Sequence, residues 1–154
     1  MRHLLSHTSG ASGWEPPFAH EDVYDWERST SRLAAQAPWW ELGSASGYHD
    51  TSYGHLVGEV VRRVTGISIG RFFADEIART LGADFHIGLA DRDFPRVSKV
   101  IFPGYPFEDP DPPEPDSVPA KTSGPLFDMP ATATAAWRRA EIPAAPSCPG
   151  PIHT

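Results

Sequence analysis

The sequence predicts an α+β chain that is mostly helical and carries an extended, proline-rich C-terminal part. Three observations carry this. Tyr53, Leu56, Val57, Val60, Val61 and Val64 recur at i, i+3, i+4, i+7, i+8 and i+11, one continuous apolar stripe at the helical period. Phe85-His86-Ile87-Gly88-Leu89 alternates apolar with small or polar residues, the period of a short strand. Fourteen of the seventeen prolines fall from Pro95 onward, where missing backbone donors work against regular pairing.

In chain order, Arg2 to Ser6 reads as the end of a short helix with no cap before it, running into the turn His7-Thr8-Ser9-Gly10. Ala11 to Ala19 is a loop punctuated by Gly13, Pro16 and Pro17, with Trp14 as its large anchor. His20 to Gln36 is helical, in two pieces around Ser29-Thr30-Ser31. Its buried side is expected to hold Val23, Trp26, Leu33 and Ala34. Pro38 ends it, and Trp39 to Gly47 leads through a Ser/Gly-rich turn to Tyr48.

The central helix follows. Thr51 or Ser52 can cap it, Arg62 and Arg63 suit the negative end of its dipole, and Gly66 supplies a left-handed stop. Ser68 caps a second helix with an apolar face of Ile69, Phe72, Phe73 and Ile77, stopped by Gly82. From 95 to 131 the chain is expected to be extended and acidic, with no Lys or Arg between Lys99 and Lys121. Thr132 to Ala140 forms one more helix around Trp137, before an irregular tail. The expected divisions are therefore 1–94, 95–131 and 132–154.

The chain has 154 residues, a net charge of −7 and a pI near 5.4. That is enough for one core, and it offers no basic nucleic-acid surface. The lone Cys148 excludes an internal disulfide and any cysteine-rich zinc site. No run of eighteen apolar residues and no signal-peptide pattern is present in the sequence as given. A soluble cytoplasmic chain with no membrane partner is expected.

Tyr48 stands just ahead of the rigid central helix, where a side chain can be held accurately. A tyrosine acts as a general base when a neighbouring cation brings its phenol down from a pKa of ~10. No lysine or arginine is near Tyr48 in sequence, so that partner must come from elsewhere in the fold. Packing at a helix entrance is the commoner role for such a tyrosine, and spacing alone leaves both readings open. The histidines give no metal signature: His3 and His7 straddle a turn, and His49, Asp50 and His55 straddle a cap. They read as surface or supporting residues.

Serine chemistry is also testable on the sequence. There is no G-x-S-x-G elbow, since Gly43-Ser44-Ala45-Ser46-Gly47 has alanine at its centre. There is no S-x-x-K either: the residues three before the two lysines are Arg96 and Val118. Lys121-Thr122-Ser123-Gly124 has one residue too many for a K-T-G box. No phosphate loop appears, and no cofactor is expected.

LLSHTSG (Leu4 to Gly10), WWELGSASGYHDTSYGHLVGEVVRRVTG (Trp39 to Gly66) and IARTLGADFHIGL (Ile77 to Leu89) together resemble the beta-lactamase-related serine hydrolases. The nearest likeness is to class C beta-lactamase-like, family VIII carboxylesterases. AWRRAEIPAA (Ala136 to Ala145) is similar to a later block of the same proteins. The resemblance implies the mostly helical lobe of a beta-lactamase/penicillin-binding-protein-like fold, with the antiparallel sheet largely missing.

It also implies an acyl-serine mechanism, in which an S-x-x-K serine attacks an ester or lactam carbonyl while a lysine and a tyrosine move the proton. Tyr48 matches that tyrosine as proton shuttle. Asp50, Trp39 and Trp40 are the expected substrate-binding residues beside it. Asp50 stands where lactamases usually carry asparagine, which favours esters over lactams; Leu42 stands where proline is usual, which loosens the approach to Tyr48. The S-x-x-K serine and the third family motif have no match in this sequence. An internal fragment is therefore expected, inactive alone. The alternative expectation is a non-catalytic remnant that binds a ligand or partner through exposed Trp14, Trp39 and Trp40.

Overall fold

The computed structural model describes residues 1–98, 114, 117–123 and 135–141. Most of the acidic 95–131 stretch and the tail with Cys148 lie outside the described residues.

Helix α1 (Arg2–Leu5) leads into the loop that ends at a 3-10 segment, His20–Tyr24. Helix α2 (Trp26–Ala35) follows, and the break between them falls at Asp25, not at the serine-threonine run. The cause is a cap. The Asp25 carboxylate accepts the Arg28 backbone N–H at 3.0 Å, closing one of the free donors of the first turn. Val23 and Leu33 are buried as expected, but Ala34 is exposed and Ser29 and Thr30 are buried in its place. Their hydroxyls donate to the Asp22 and Trp26 carbonyls, which makes that burial tolerable.

Helix α3 (Ser52–Thr65) has the expected span, and Gly66 ends it at φ 78°. Its buried face is not the predicted one. Ser52, Gly54, His55, Gly58 and Glu59 are buried, whereas Leu56, Val57, Val60 and Val61 are half-buried and Val64 is 79% exposed. Small and polar residues at 52, 55 and 59, with glycines at 54 and 58, make a second stripe at the same period. Gly58 explains why this face wins. A Cβ there would lie 2.5 Å from the Trp26 ring, so only glycine lets α2 come this close. The expected hydroxyl cap does not form either: Ser52 Oγ donates to the Ala11 carbonyl at 2.9 Å, tying the helix start to the N-terminal loop.

Between Ser68 and Gly82 the chain runs continuously through α4 (Ile69–Phe72), a π-helical turn (Phe73–Ala78) and α5 (Arg79–Leu81). Ser68 caps it as predicted, accepting the Arg71 N–H at 3.3 Å, but Ile77 is exposed and Gly70 and Ala78 are buried. Residues 85–89 make no strand. Leu89 N–H donates to the Arg138 carbonyl at 2.7 Å and the Phe85 ring lies 5.2 Å from that of Phe73. No strand occurs among the described residues, so alternation there found no partner edge. A 3-10 segment at Asp91–Arg96 follows.

Two further helices are short. Helix α6 (Val118–Ser123) corrects the expectation of extended chain around those residues. It is held by Ser12 Oγ at 2.6 Å from Thr122 Oγ1 and by the Lys121–Glu15 ion pair at 3.3 Å. Helix α7 (Ala135–Arg139) forms around Trp137, as predicted, and buries it.

The core gathers Trp14, Phe18, Val23, Leu33 and Trp137, with Tyr24 and Leu56 against it. Trp14 and Phe18 stack with centroids 4.5 Å apart. His55 is fully buried, edge-on to Trp14 and stacked on Trp26, and its Nε2–H donates to the Val23 carbonyl at 2.9 Å. It is a core residue rather than a surface one, as is Trp14 at 4% exposure. Glu59 is buried beside them, accepting from Trp26 Nε1 at 2.9 Å and from Arg62 and Arg63 at 2.7 Å each.

Candidate active site

Two stretches far apart in sequence build the site. His7 to Gly10 runs beside Trp39 to Gly47, joined by Gly10 O with Trp39 N–H (2.8 Å), Thr8 O with Gly43 N–H (3.0 Å) and His7 O with Gly47 N–H (3.1 Å). The turn that follows, Gly47 to Asp50, presents Tyr48 ahead of α3.

Gly47 is required there. A Cβ on it would lie 2.6 Å from the Trp40 ring, which comes up against that backbone. Trp40 is half-buried, and its Nε1 is buried without a hydrogen-bond partner among the described residues.

His49 is fully buried. Its Nδ1 lies 2.6 Å from the Gly47 carbonyl and its Nε2 2.6 Å from Ser9 Oγ. A carbonyl only accepts, so Nδ1 carries the proton and Nε2 accepts from the serine hydroxyl. Ser9 Oγ in turn accepts the Ala11 N–H at 3.2 Å. The His49 backbone N–H donates to His7 Nδ1 at 3.1 Å, and the His49 carbonyl accepts from Tyr53 N–H at 3.2 Å. Burial holds the His49 imidazole below its ordinary pKa; the Gly47 carbonyl opposes this and nearby His7 adds to it.

Tyr48 itself is half exposed, at 50%. Its ring lies 4.8 Å from that of His7, which also contacts the Tyr53 ring at 5.1 Å. The phenol is pushed above its ordinary value, first by burial, then by the charge of Asp50, then by Tyr53. Among the described residues no lysine or arginine enters this balance. Burial likewise raises the Asp50 carboxyl.

The structure thus brings Tyr48, Asp50 and, through Gly47, Trp40 to one turn. Trp39 is engaged elsewhere: its indole N–H donates to Glu15 and its ring lies 5.5 Å from the Lys121 ammonium. Trp14 is in the core, so the trio of exposed tryptophans does not exist. Sequence reasoning missed the Ser9–His49 pair and the part played by His7. No spacing rule joins residues forty positions apart, and a histidine in each matching block was the only available signal.

Two cavities of about 220 and 520 Å³ lie elsewhere, the first beside Tyr24, Trp26 and Glu141, the second beside Phe18, Arg28 and Lys121. Neither is lined by Tyr48. Among the described residues no three His, Cys, Asp or Glu side chains converge as metal ligands, and no helix is long and apolar enough to cross a membrane.

A family model described as Beta-lactamase matches residues 1–141. The Esterase/beta-lactamase LipL of Mycobacterium tuberculosis (strain ATCC 25618 / H37Rv) is 34% identical over 105 residues, 67% of this chain and 24% of that protein. Among solved structures, a family VIII carboxylesterase superposes with a TM-score of 0.77 at 36% identity, over 92% of this chain and 37% of that one. A penicillin-binding protein homolog from Caulobacter crescentus gives 0.73 at 36% identity, with the same coverage. EstA from Arthrobacter nitroguajacolicus Rue61a gives 0.68 at 28% identity, over 90% of this chain and 37% of that one. The chain therefore spans about a quarter of the curated relative and little more than a third of these structures.

Proposed function

Because this chain belongs to the beta-lactamase family, we propose that it is part of a serine hydrolase that cleaves small carboxylic esters through an acyl-serine intermediate, with Tyr48 as proton shuttle. The observation that carries this is the setting of Tyr48. Its backbone is fixed on both sides, by bonds at Gly47 and at His49, while half of its side chain stays open to solvent.

The chemistry has three parts. A serine hydroxyl attacks the ester carbonyl, and the lysine–tyrosine pair takes its proton and passes it to the departing alcohol. Water then attacks the acyl-serine, with the same pair accepting and returning the proton. This sequence has no S-x-x-K; in this reading the serine and lysine are supplied by another stretch of polypeptide. Without an ammonium beside it the phenol stays protonated at neutral pH, consistent with the upward push it receives here. The chain alone is therefore inactive in this reading. The relatives named as esterases support ester substrates, and beta-lactams are the second class. A remnant that only binds a ligand is the weaker reading, because Trp14 is buried and Trp39 is committed to Glu15.

The test is hydrolysis of p-nitrophenyl butyrate by the purified chain and its Tyr48→Phe variant. Neither should exceed the buffer rate. Rapid hydrolysis that survives Tyr48→Phe would place the chemistry elsewhere.

A further inference from the structure

We propose that His49 is a positioning residue for Tyr48, its doubly bonded imidazole holding the phenol against His7. The proposal deepens the reading above and rests on it only for the purpose that the positioning serves.

Among the described residues, the turn carrying Tyr48 belongs to no helix or strand. What fixes it is a closed set of bonds around one imidazole. The Gly47 N–H is held by the His7 carbonyl, and the Gly47 carbonyl by His49 Nδ1–H. The His49 N–H is held by His7 Nδ1, and the His49 carbonyl by the Tyr53 N–H of α3. Every peptide group next to Tyr48 is thereby tied to His7, to α3 or to the His49 ring itself. The Tyr48 side chain extends from this fixed backbone with its ring 4.8 Å from that of His7.

The remaining edge of the imidazole anchors this set to the core side. Ser9 is 7% exposed and His49 fully buried, so their 2.6 Å bond is shielded from water. Ser52, three residues beyond His49, is buried too, and its hydroxyl holds the Ala11 carbonyl, while the Ala11 N–H goes to Ser9. The start of α3 and the Ser9 loop are therefore locked together. An imidazole can donate from one edge and accept at the other, which is what Gly47 and Ser9 jointly demand. Alanine would leave the half-buried Gly47 carbonyl without this donor and the buried Ser9 hydroxyl without this acceptor. Glutamine keeps one donor and one acceptor within similar reach.

The titratable groups around His49 are His7 from the loop after α1, Tyr48 and Asp50 on its own turn, and Tyr53 on α3. Protonating His49 makes Nε2 a donor, so the Ser9 hydroxyl must turn from donating to accepting while it also accepts the Ala11 N–H, and the anchor of the turn is rearranged.

The experiment is NMR on the full chain with labelled histidine and tyrosine, and none of its readouts uses turnover. His49 should appear as the Nδ1–H tautomer. The Tyr48 ring signal should be displaced by the His7 ring. On acidification it should move in step with the His49 ring signal, each imidazole being followed by its own resonance. His49→Ala should abolish the displacement; His49→Gln should retain it while losing the step that follows His49. An Nε2–H tautomer, or a Tyr48 signal that ignores both the titration and the alanine change, would overturn the proposal. If His49→Ala fails to fold, the tautomer and titration of the unaltered chain still decide it. A catalytically idle Tyr48 would remove the purpose of the arrangement and leave these signals as described, so the two failures are distinguishable.

Discussion

The Tyr48 and His7 rings lie 4.8 Å apart, tilted by 42°, at the point where the two sequence blocks of the site meet. No ammonium or guanidinium among the described residues joins them. The phenol should therefore ionise above its ordinary pKa of 10 in this chain, with burial as the main cause. Labelled-tyrosine NMR against pH measures this directly. Ionisation of Tyr48 below 10 would show that a cation already reaches it.

Acid should weaken the fold in two windows. His49 and His55 are both held below the ordinary value of 6.5 by burial, so the unfolded chain takes up protons there that the folded chain resists. Their contribution is complete above pH 6.5 and is lost as pH falls below it. Glu59 is held at about 2, against an ordinary 4.5, chiefly by its hydrogen bond to Arg62, with Arg63 and Trp26 adding to it. Its contribution is present above pH 4.5 and is lost as pH falls toward 2. Urea midpoints measured from pH 8 to 3 should decline in that order, and Glu59→Gln should shrink the lower window, which Asp75, Asp84 and Asp91 share, while leaving the upper one.

Gly58→Ala should destabilise the chain by about 1–3 kcal/mol through overpacking, although alanine is favoured over glycine in an exposed helix by roughly 1 kcal/mol. The new methyl would meet the Trp26 ring at 2.5 Å and Ile69 at 3.3 Å. Trp26 cannot simply swing aside, because its indole N–H holds the buried Glu59 carboxylate. A lower urea midpoint with an unchanged slope is expected; a higher midpoint would show that the α2–α3 contact is loose.

The span of α3, its Gly66 stop, the Ser68 cap and the Trp137 helix were all legible, because each depends on local pattern or a single terminal residue. The face that α3 buries was not. Periodicity finds stripes, and α3 carries two: one apolar, and one of small and polar residues that Gly58 opens to Trp26. Which of them is covered depends on tertiary neighbours. Of the site, Tyr48 and its turn were readable from their place before α3 and from the family likeness. The Ser9–His49 bond was not, since it joins two loops that only the folded chain brings together.

That half-covered apolar stripe has a consequence for stability. Among the described residues the buried apolar side chains are Trp14, Phe18, Val23, Leu33, Ala78 and Trp137, while Val64 and Leu81 remain mostly exposed. At about 25 cal/mol per Å², leaving one helix face uncovered forgoes several kcal/mol, from a typical net of ~5–15 kcal/mol. Thermal unfolding should be broad and centred below ~65 °C, within the usual mesophile range. A sharp transition above that temperature would mean the stripe is covered.

The most direct measurement places residues 1–141 in the matching stretch of the family VIII carboxylesterase, which supplies the serine and lysine, and follows p-nitrophenyl butyrate hydrolysis with and without Tyr48→Phe. We predict turnover by the chimera and a loss of roughly 10²–10⁴-fold on Tyr48→Phe, the range for removing a general acid–base group. A chimera that turns over equally well with phenylalanine at this position would contradict the assignment of Tyr48 as the proton shuttle.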